Sequence, residues 1–66
     1  MEKWEYLMVH IDGGRVRLVN GQQFENSKTT SVLAYINQLG NDGWEMAATS
    51  TPNGSEYILF FKRRKP

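Results

Sequence analysis

Hydrophobic residues alternate with other residues over four segments of the chain, which is the pattern of β-strands. The segments cover residues 3–11, 15–19, 44–50 and 56–62. In the second segment the alternation predicts that Val16 and Leu18 share one face. In the first, third and fourth segments both sets of alternate positions contain apolar residues. The pattern therefore predicts four strands and leaves open which face of these three is inward.

Turn sequences lie between the predicted strands. Asp12-Gly13-Gly14 and Asn20-Gly21 bracket the second strand, and Thr51-Pro52-Asn53-Gly54-Ser55 joins the third to the fourth. Glycine and asparagine tolerate positive φ, and proline presets φ for a turn, so these segments predict chain reversals. Residues 22–28 are polar except for Phe24 and are predicted to form a loop.

A helical spacing replaces the alternation in the middle of the chain. The apolar stripe consists of Val32, Leu33, Ile36 and Leu39, with Tyr35 beside it. The three candidate N-caps are Thr29, Thr30 and Ser31, and the predicted C′ residue is Gly40. Because about ten residues are too few for a stable isolated helix, the stripe is expected to dock on inward residues of all four strands.

These elements predict a single domain over residues 1–66, of the α+β class. The sheet is expected to have four mainly antiparallel strands, with one helix packed on one face and the order β-β-α-β-β. In the third strand, Trp44, Met46 and Ala48 are predicted to share one face. Ala47 and Ala48 are small, so they are expected to leave room for the helix to approach closely.

Five short motifs resemble those of a known family. They are Lys3-Trp4-Glu5-Tyr6, Asn20-Gly21, Asn37-Gln38-Leu39-Gly40, Asn41-Asp42-Gly43-Trp44-Glu45-Met46 and Phe61-Lys62-Arg63. In this order, over nearly the whole chain, they resemble the short bacterial and phage proteins classed as domain of unknown function 4177. The most specific motif is Leu-Gly-x-x-Gly-Trp-Glu after a short helix. The resemblance implies a small β-β-α-β-β domain with no assigned activity and no catalytic residues.

The small size of the chain predicts association with a partner. The chain of 66 residues has no cysteine and one histidine, His10, which excludes disulfides and thiolate zinc sites. One helix covers only one side of a four-stranded sheet, so the other side would expose apolar residues. We expect a homo-oligomer, most simply a dimer, or docking on another protein. The predicted interaction residues are Tyr57, Ile58, Phe60 and Phe61.

Positive charge is concentrated at the C-terminus. The net charge is +1, and four of the eight basic residues are Lys62, Arg63, Arg64 and Lys65. The other four face seven acidic residues, so residues 1–61 carry a net charge of −3. Residues 62–66 thus form a basic tip, whose last residues could be disordered. Beside strand aromatics, these four cations give an alternative prediction, nucleic-acid binding.

No constellation of residues predicts catalysis. His10 lies among hydrophobic strand residues, and Glu5 and Glu45 would meet only if their strands paired. Gly13-Gly14 lacks the spacing and the following helix of a phosphate-binding loop. We therefore expect no enzyme activity, catalytic residue, cofactor or metal site. The apolar runs are too short to cross a membrane and no signal sequence is recognisable, which predicts a soluble cytoplasmic protein.

Overall fold

The computed structural model describes residues 1–24 and 31–66 and has one antiparallel sheet. The strands are β1 (Trp4–Asp12), β2 (Arg15–Val19), β3 (Gln22–Gln23), β4 (Glu45–Asn53) and β5 (Glu56–Arg64), and helix α1 spans Val32–Asn41. The strand order is β3-β2-β1-β5-β4. The α+β class is confirmed. Among the described residues, no helix is long and apolar enough to cross a membrane.

The fifth strand, β3, corrects the prediction of four strands in the order β-β-α-β-β. Asn20 and Gly21 both have positive φ, 53° and 83°, which gives a tight two-residue hairpin. The chain therefore returns along β2, where Val19 pairs with Gln22. Two glutamines carry no alternating pattern, so the sequence alone indicates a loop. The order of elements is β-β-β-α-β-β.

The ends of α1 are set by a serine and a glycine. Ser31 is the N-cap, and its Oγ accepts a hydrogen bond from the Ala34 N–H at 3.0 Å. The other two candidates, Thr29 and Thr30, lie outside the described residues. The prediction of Gly40 as the C′ residue is wrong, because the helix continues to Asn41.

Gly43 is the glycine that ends the helix. It has φ of 92°, and its N–H donates to the Gly40 carbonyl at 3.0 Å. The next N–H, that of Trp44, donates to the Leu39 carbonyl at 2.9 Å, which completes a Schellman motif. Trp44 and Leu39 both belong to the core. The C′ glycine therefore lies three residues later than predicted, at the position where these two hydrogen bonds form.

The core lies between α1 and one face of the sheet. Its buried residues are Val9, Ile11, Val16, Leu39, Leu59 and Phe61. Partly buried residues packed against them are Leu7, Val19, Phe24, Val32, Tyr35, Ile36 and Trp44. The odd-numbered residues from Leu7 to Ile11, together with Leu59 and Phe61, therefore face the helix. Burial also raises the pKa of the Tyr35 phenol, whose ring lies 4.9 Å from that of Phe24.

The apolar face of α1 differs from the prediction at one position. Leu33 is 65% exposed, so the expectation that it contacts the sheet is wrong. Tyr35 packs against the core in its place, beside Ile36. Residues 32, 35, 36 and 39 follow the i, i+3, i+4, i+7 spacing of one helix face, and residue 33 is turned about 100° away from residue 32.

A β-bulge in β2 places on opposite faces two residues that were predicted to share one face. Val16 pairs with Ile11 and Leu18 pairs with His10, so the register shifts at the residue between them, Arg17. The extra residue moves Leu18 to the face opposite Val16. The prediction that Val16 and Leu18 share a face is therefore wrong.

A bulge in β4 likewise moves a residue to the face opposite the predicted one. Met46 pairs with Phe61 on the helix side, whereas Ala48 pairs with Phe60 on the other side. The prediction that Trp44, Met46 and Ala48 share one face is thus wrong for Ala48. Ala47 and Ala48 are both exposed, so the small side chains in this strand do not make room for α1.

The opposite orientations of Phe61 and Phe60 allow a matched stability test. Phe61 is 3% exposed and Phe60 is 37% exposed. We expect Phe61→Ala to cost about 3–5 kcal/mol, close to the whole stability of so small a domain. Phe60→Ala is expected to cost on the order of 1 kcal/mol. The urea midpoint of each variant, followed by circular dichroism, measures the difference, and equal midpoints would contradict this assignment of the core.

Candidate interaction face

The side of the sheet opposite α1 presents a regular set of cross-strand pairs. Along β1 and β5 the pairs are Trp4 with Arg64, Tyr6 with Lys62, Met8 with Phe60, His10 with Ile58, and Asp12 with Glu56. Leu18 extends this surface on the β2 side and Ala48 on the β4 side, through their pairing with His10 and Phe60. We call this surface the open face.

Large apolar side chains are exposed along the middle of the open face. Trp4 and Phe60 are each 37% exposed, Met8 is 38% exposed and Tyr6 is 68% exposed. Ile58 between them is half-buried. Soluble monomers seldom expose a contiguous apolar surface of this kind, so the open face is the best candidate for a binding surface.

The predicted interaction residues are divided between the two sides of the sheet. Ile58 and Phe60 lie on the open face. Tyr57 lies on the helix side, and Phe61 is buried in the core. The expectation that Phe61 is available at a surface is therefore wrong, because it packs beneath α1. Successive strand residues point to opposite faces, so no run of neighbours in β5 could form one surface.

The contribution of β1 to this surface was not predicted from the sequence. Trp4, Tyr6 and Met8 lie at alternate positions and share a face, which the two-residue period already indicates. What the sequence lacked was the register that places these residues beside Phe60 and Ile58 of β5. Two strands at opposite ends of the chain together make the surface.

Arg63 is a structural residue on the helix side of the sheet. Its Nε and Nη2 both bind Glu5 Oε1, and its Nη1 donates to the Asp42 carbonyl oxygen at 3.0 Å. The guanidinium carbon lies 4.2 Å from the centre of the Trp44 ring. This one side chain thus connects β1, the end of α1 and the residue before β4, and it is directed away from the open face.

Lys62 and Arg64 lie on the open face, on either side of Arg63 in sequence. The Lys62 Nζ is 4.7 Å from the centre of the Trp4 ring, and the Arg64 guanidinium carbon is 5.9 Å from it. Arg64 also forms an exposed ion pair with Glu2 at 2.8 Å. Beyond β5, the Lys65 N–H donates to the Lys3 carbonyl at 2.9 Å. Strand pairing thus extends past Lys62, the predicted end of this strand.

The two ends of the open face carry opposite charges along the central strand pair. Lys62 and Arg64 lie at one end, and Asp12 and Glu56 pair with each other in register at the other. The apolar residues lie between these two ends. The neighbouring strands add the opposite charge at each end, because Arg15 pairs with Asp12 and Glu45 pairs with Lys62. A binding partner therefore meets this separation of charge along β1 and β5 only.

A shallow cavity of about 350 Å³ lies beside the acidic end. It is lined by His10, Asp12, Arg17, Leu18 and Gln23. Within the described ranges, His10 Nε2 is buried without a hydrogen-bond partner, and it lies 3.8 Å from Glu56 Oε2. Among the described residues that line this cavity there is no serine, threonine or cysteine.

The other residues considered for catalysis or metal binding stay apart. Glu5 faces the helix side and binds Arg63, whereas Glu45 pairs with Lys62 on the open face. Their strands, β1 and β4, lie on opposite sides of β5. In residues 1–24 and 31–66, no group of three or more potential ligands could hold a metal ion.

Comparison of this chain with protein-family models, curated proteins and solved structures gives no match. The resemblance to domain of unknown function 4177 therefore stays a prediction that rests on the sequence motifs alone. The geometry and charge of the open face are therefore the basis for a proposed function.

Neighbouring arginines allow a test of the structural role of Arg63. We expect Arg63→Ala to lower the free energy of unfolding by about 1–3 kcal/mol, because Glu5 and the Asp42 carbonyl lose a charged donor. The matched control, Arg64→Ala, removes an exposed ion pair and should change stability by less than about 0.5–1 kcal/mol. Urea unfolding at constant pH compares the two variants. Equal losses would show that Arg63 is no more than another surface cation.

Proposed function

We propose that this protein is a small non-catalytic binding module that self-associates through the open face. The observation that carries the proposal is the line of exposed apolar side chains formed by Trp4, Tyr6, Met8 and Phe60 on the side opposite α1. Covering these side chains removes apolar surface from water and stabilises the association. The absence of cysteine fits a reducing compartment, and we place the protein in the cytoplasm.

The size of the open face suggests how strong this association is. β1 and β5 have nine residues each, so the face is about 30 Å long. Three to four strands give a width of about 15–19 Å, or on the order of 500 Å² on each copy. About 1,000 Å² in total is at the low end for a specific interface. We therefore expect a reversible dimer with dissociation in the micromolar range.

Light scattering coupled to size-exclusion chromatography, over a range of concentrations, tests self-association. The wild-type protein should pass from monomer to dimer mass as its concentration rises. The double variant Tyr6→Ser/Phe60→Ser should stay monomeric at concentrations at least about tenfold higher, because it loses two apolar contacts.

The control for this experiment is Leu33→Ser. Leu33 is also a large exposed apolar residue, but it lies on the outward side of α1. The Leu33→Ser substitution should therefore leave the monomer–dimer equilibrium unchanged. A wild-type protein that remains monomeric up to millimolar concentration, or equal effects of the two substitutions, would refute self-association through the open face.

Nucleic-acid binding is the second candidate function. The observation that favours it is the position of Lys62 and Arg64 on the same face as Trp4 and Tyr6. Proteins that bind single strands combine cations for the phosphates with aromatic rings for the bases. Arg63 has a different role here, because Glu5 and Trp44 occupy its guanidinium. The candidate contacts are reduced to Lys62, Arg64 and Lys65.

A fluorescent single-stranded oligonucleotide of mixed sequence tests this second candidate. If it binds, Lys62→Ala/Arg64→Ala should weaken binding about tenfold or more, and affinity should fall as salt rises. Arg15→Ala/Arg17→Ala is the matched control, since it removes the same charge at the other end of the molecule. Equal weakening by both pairs would indicate only nonspecific attraction, and undetectable binding at low salt would exclude this function.

A further inference from the structure

We propose that the open face binds a second copy of this chain face to face, with the strands of the two copies running in opposite directions. We call this the opposed arrangement. Its two-fold axis lies between the two sheets, runs perpendicular to the strands, and passes next to the pair of Met8 with Phe60. The inference rests on the proposed self-association and specifies its geometry.

The cross-strand register of β1 and β5 supplies the symmetry that such a dimer needs. A two-fold interface must complement itself, so that each residue meets the residue at the same distance on the other side of the axis. The outermost cross-strand pairs are Trp4 with Arg64 and Asp12 with Glu56. Each of them is four positions from the central pair, Met8 with Phe60. Each is therefore about 13 Å from the centre of the face.

Charge decides between the two ways in which the faces can meet. With the strands opposed, Arg64 of one copy lies over Glu56 of the other and next to its Asp12, and the reverse contact occurs at the other end. With the strands running in the same direction, the cations of both copies would meet, and so would the acids. Like charges brought together at an interface disfavour association, so the opposed arrangement is preferred.

Charged residues beside the central strands reduce the contrast between the two ends. Arg15 of β2 pairs with Asp12 at the acidic end, and Glu45 of β4 pairs with Lys62 at the basic end. The axis places β4 over β4, so that Glu45 lies across from the far end of that strand, around Ser50 to Asn53, which has no charged residue. Glu2 already pairs with Arg64 and partly neutralises the basic end. The preference for the opposed arrangement therefore depends on the charges of β1 and β5, where Arg64 of one copy lies over Glu56 of the other.

The cavity beside the acidic end fits the most exposed aromatic residue of the open face. Tyr6 and His10 are equally far from Met8, on opposite sides of it, so the axis places Tyr6 of one copy over His10 of the other. His10 and Leu18 line the cavity, and Arg17 offers a cation to the face of an aromatic ring. An exposed aromatic ring that enters a pocket on the partner is typical of the energetic centre of an interface.

Charge reversal at either end tests the orientation. One variant carries Lys62→Glu and Arg64→Glu, and the other carries Asp12→Lys and Glu56→Lys. In the opposed arrangement each variant alone brings like charges together, so we expect its dimer to be at least about tenfold weaker than the wild type. A one-to-one mixture should restore dimer mass, because the reversed ends complement each other. Circular dichroism confirms that each variant is folded.

Salt and cross-linking distinguish the opposed arrangement from the alternative. Raising the salt to about 0.5 M should weaken the wild-type dimer and strengthen either charge-reversed dimer.

Because the chain has no cysteine, Tyr6→Cys and His10→Cys each introduce a single thiol. A short bismaleimide should cross-link a mixture of these variants more efficiently than either alone. Strands running in the same direction would instead cross-link each variant with itself.

The outcomes separate this inference from the proposed function. If the wild type dimerises and Tyr6→Ser/Phe60→Ser prevents it, while charge reversal has no effect and mixed cross-links do not form, the orientation is wrong and self-association stands. If the wild type stays monomeric, both proposals are overturned. Weakening by each charge reversal, recovery in the mixture and preferential mixed cross-linking together support the opposed dimer.

Discussion

The structure depends on one constraint, namely that a ten-residue helix covers a single side of a five-stranded sheet. The helix buries Val9, Leu59 and Phe61 against Leu39 on that side. The other side keeps an apolar centre with no helix over it among the described residues. A chain of this size has little interior, so burial of the second face offers stability that the monomer lacks.

The register between β1 and β5 connects this constraint to function. These strands come from opposite ends of the chain and lie side by side in the middle of the sheet. Their pairing brings Trp4, Tyr6 and Met8 beside Phe60 on one face, and it separates the cationic end from the acidic end. The same register places Glu5 beside Arg63 on the helix side. One strand pair thus positions the core, the open face and the arginine that joins β1 to the end of α1.

The three consecutive basic residues of β5 show how strand alternation divides the roles of similar side chains. Arg63 points to the helix side, where Glu5, the Asp42 carbonyl and Trp44 surround its guanidinium. Lys62 and Arg64 point to the open face, next to Trp4. A cluster of charge in the sequence thus becomes one structural contact and two surface cations. Only the latter are available to a partner.

The sequence by itself determined the α+β class, the position of the helix and four of the five strands, because these depend on local periodicity and turn residues. It limited the N-cap to three candidates, of which the structure has Ser31. It also indicated that apolar residues would remain outside the core. The tertiary structure decided which face is inward, the glycine that ends the helix, the register shifts in β2 and β4, and the extra strand β3. It also separated Phe61 from Phe60 and Arg63 from its neighbours. These features depend on register between distant segments, and a period of two cannot show which of two apolar faces the helix will cover.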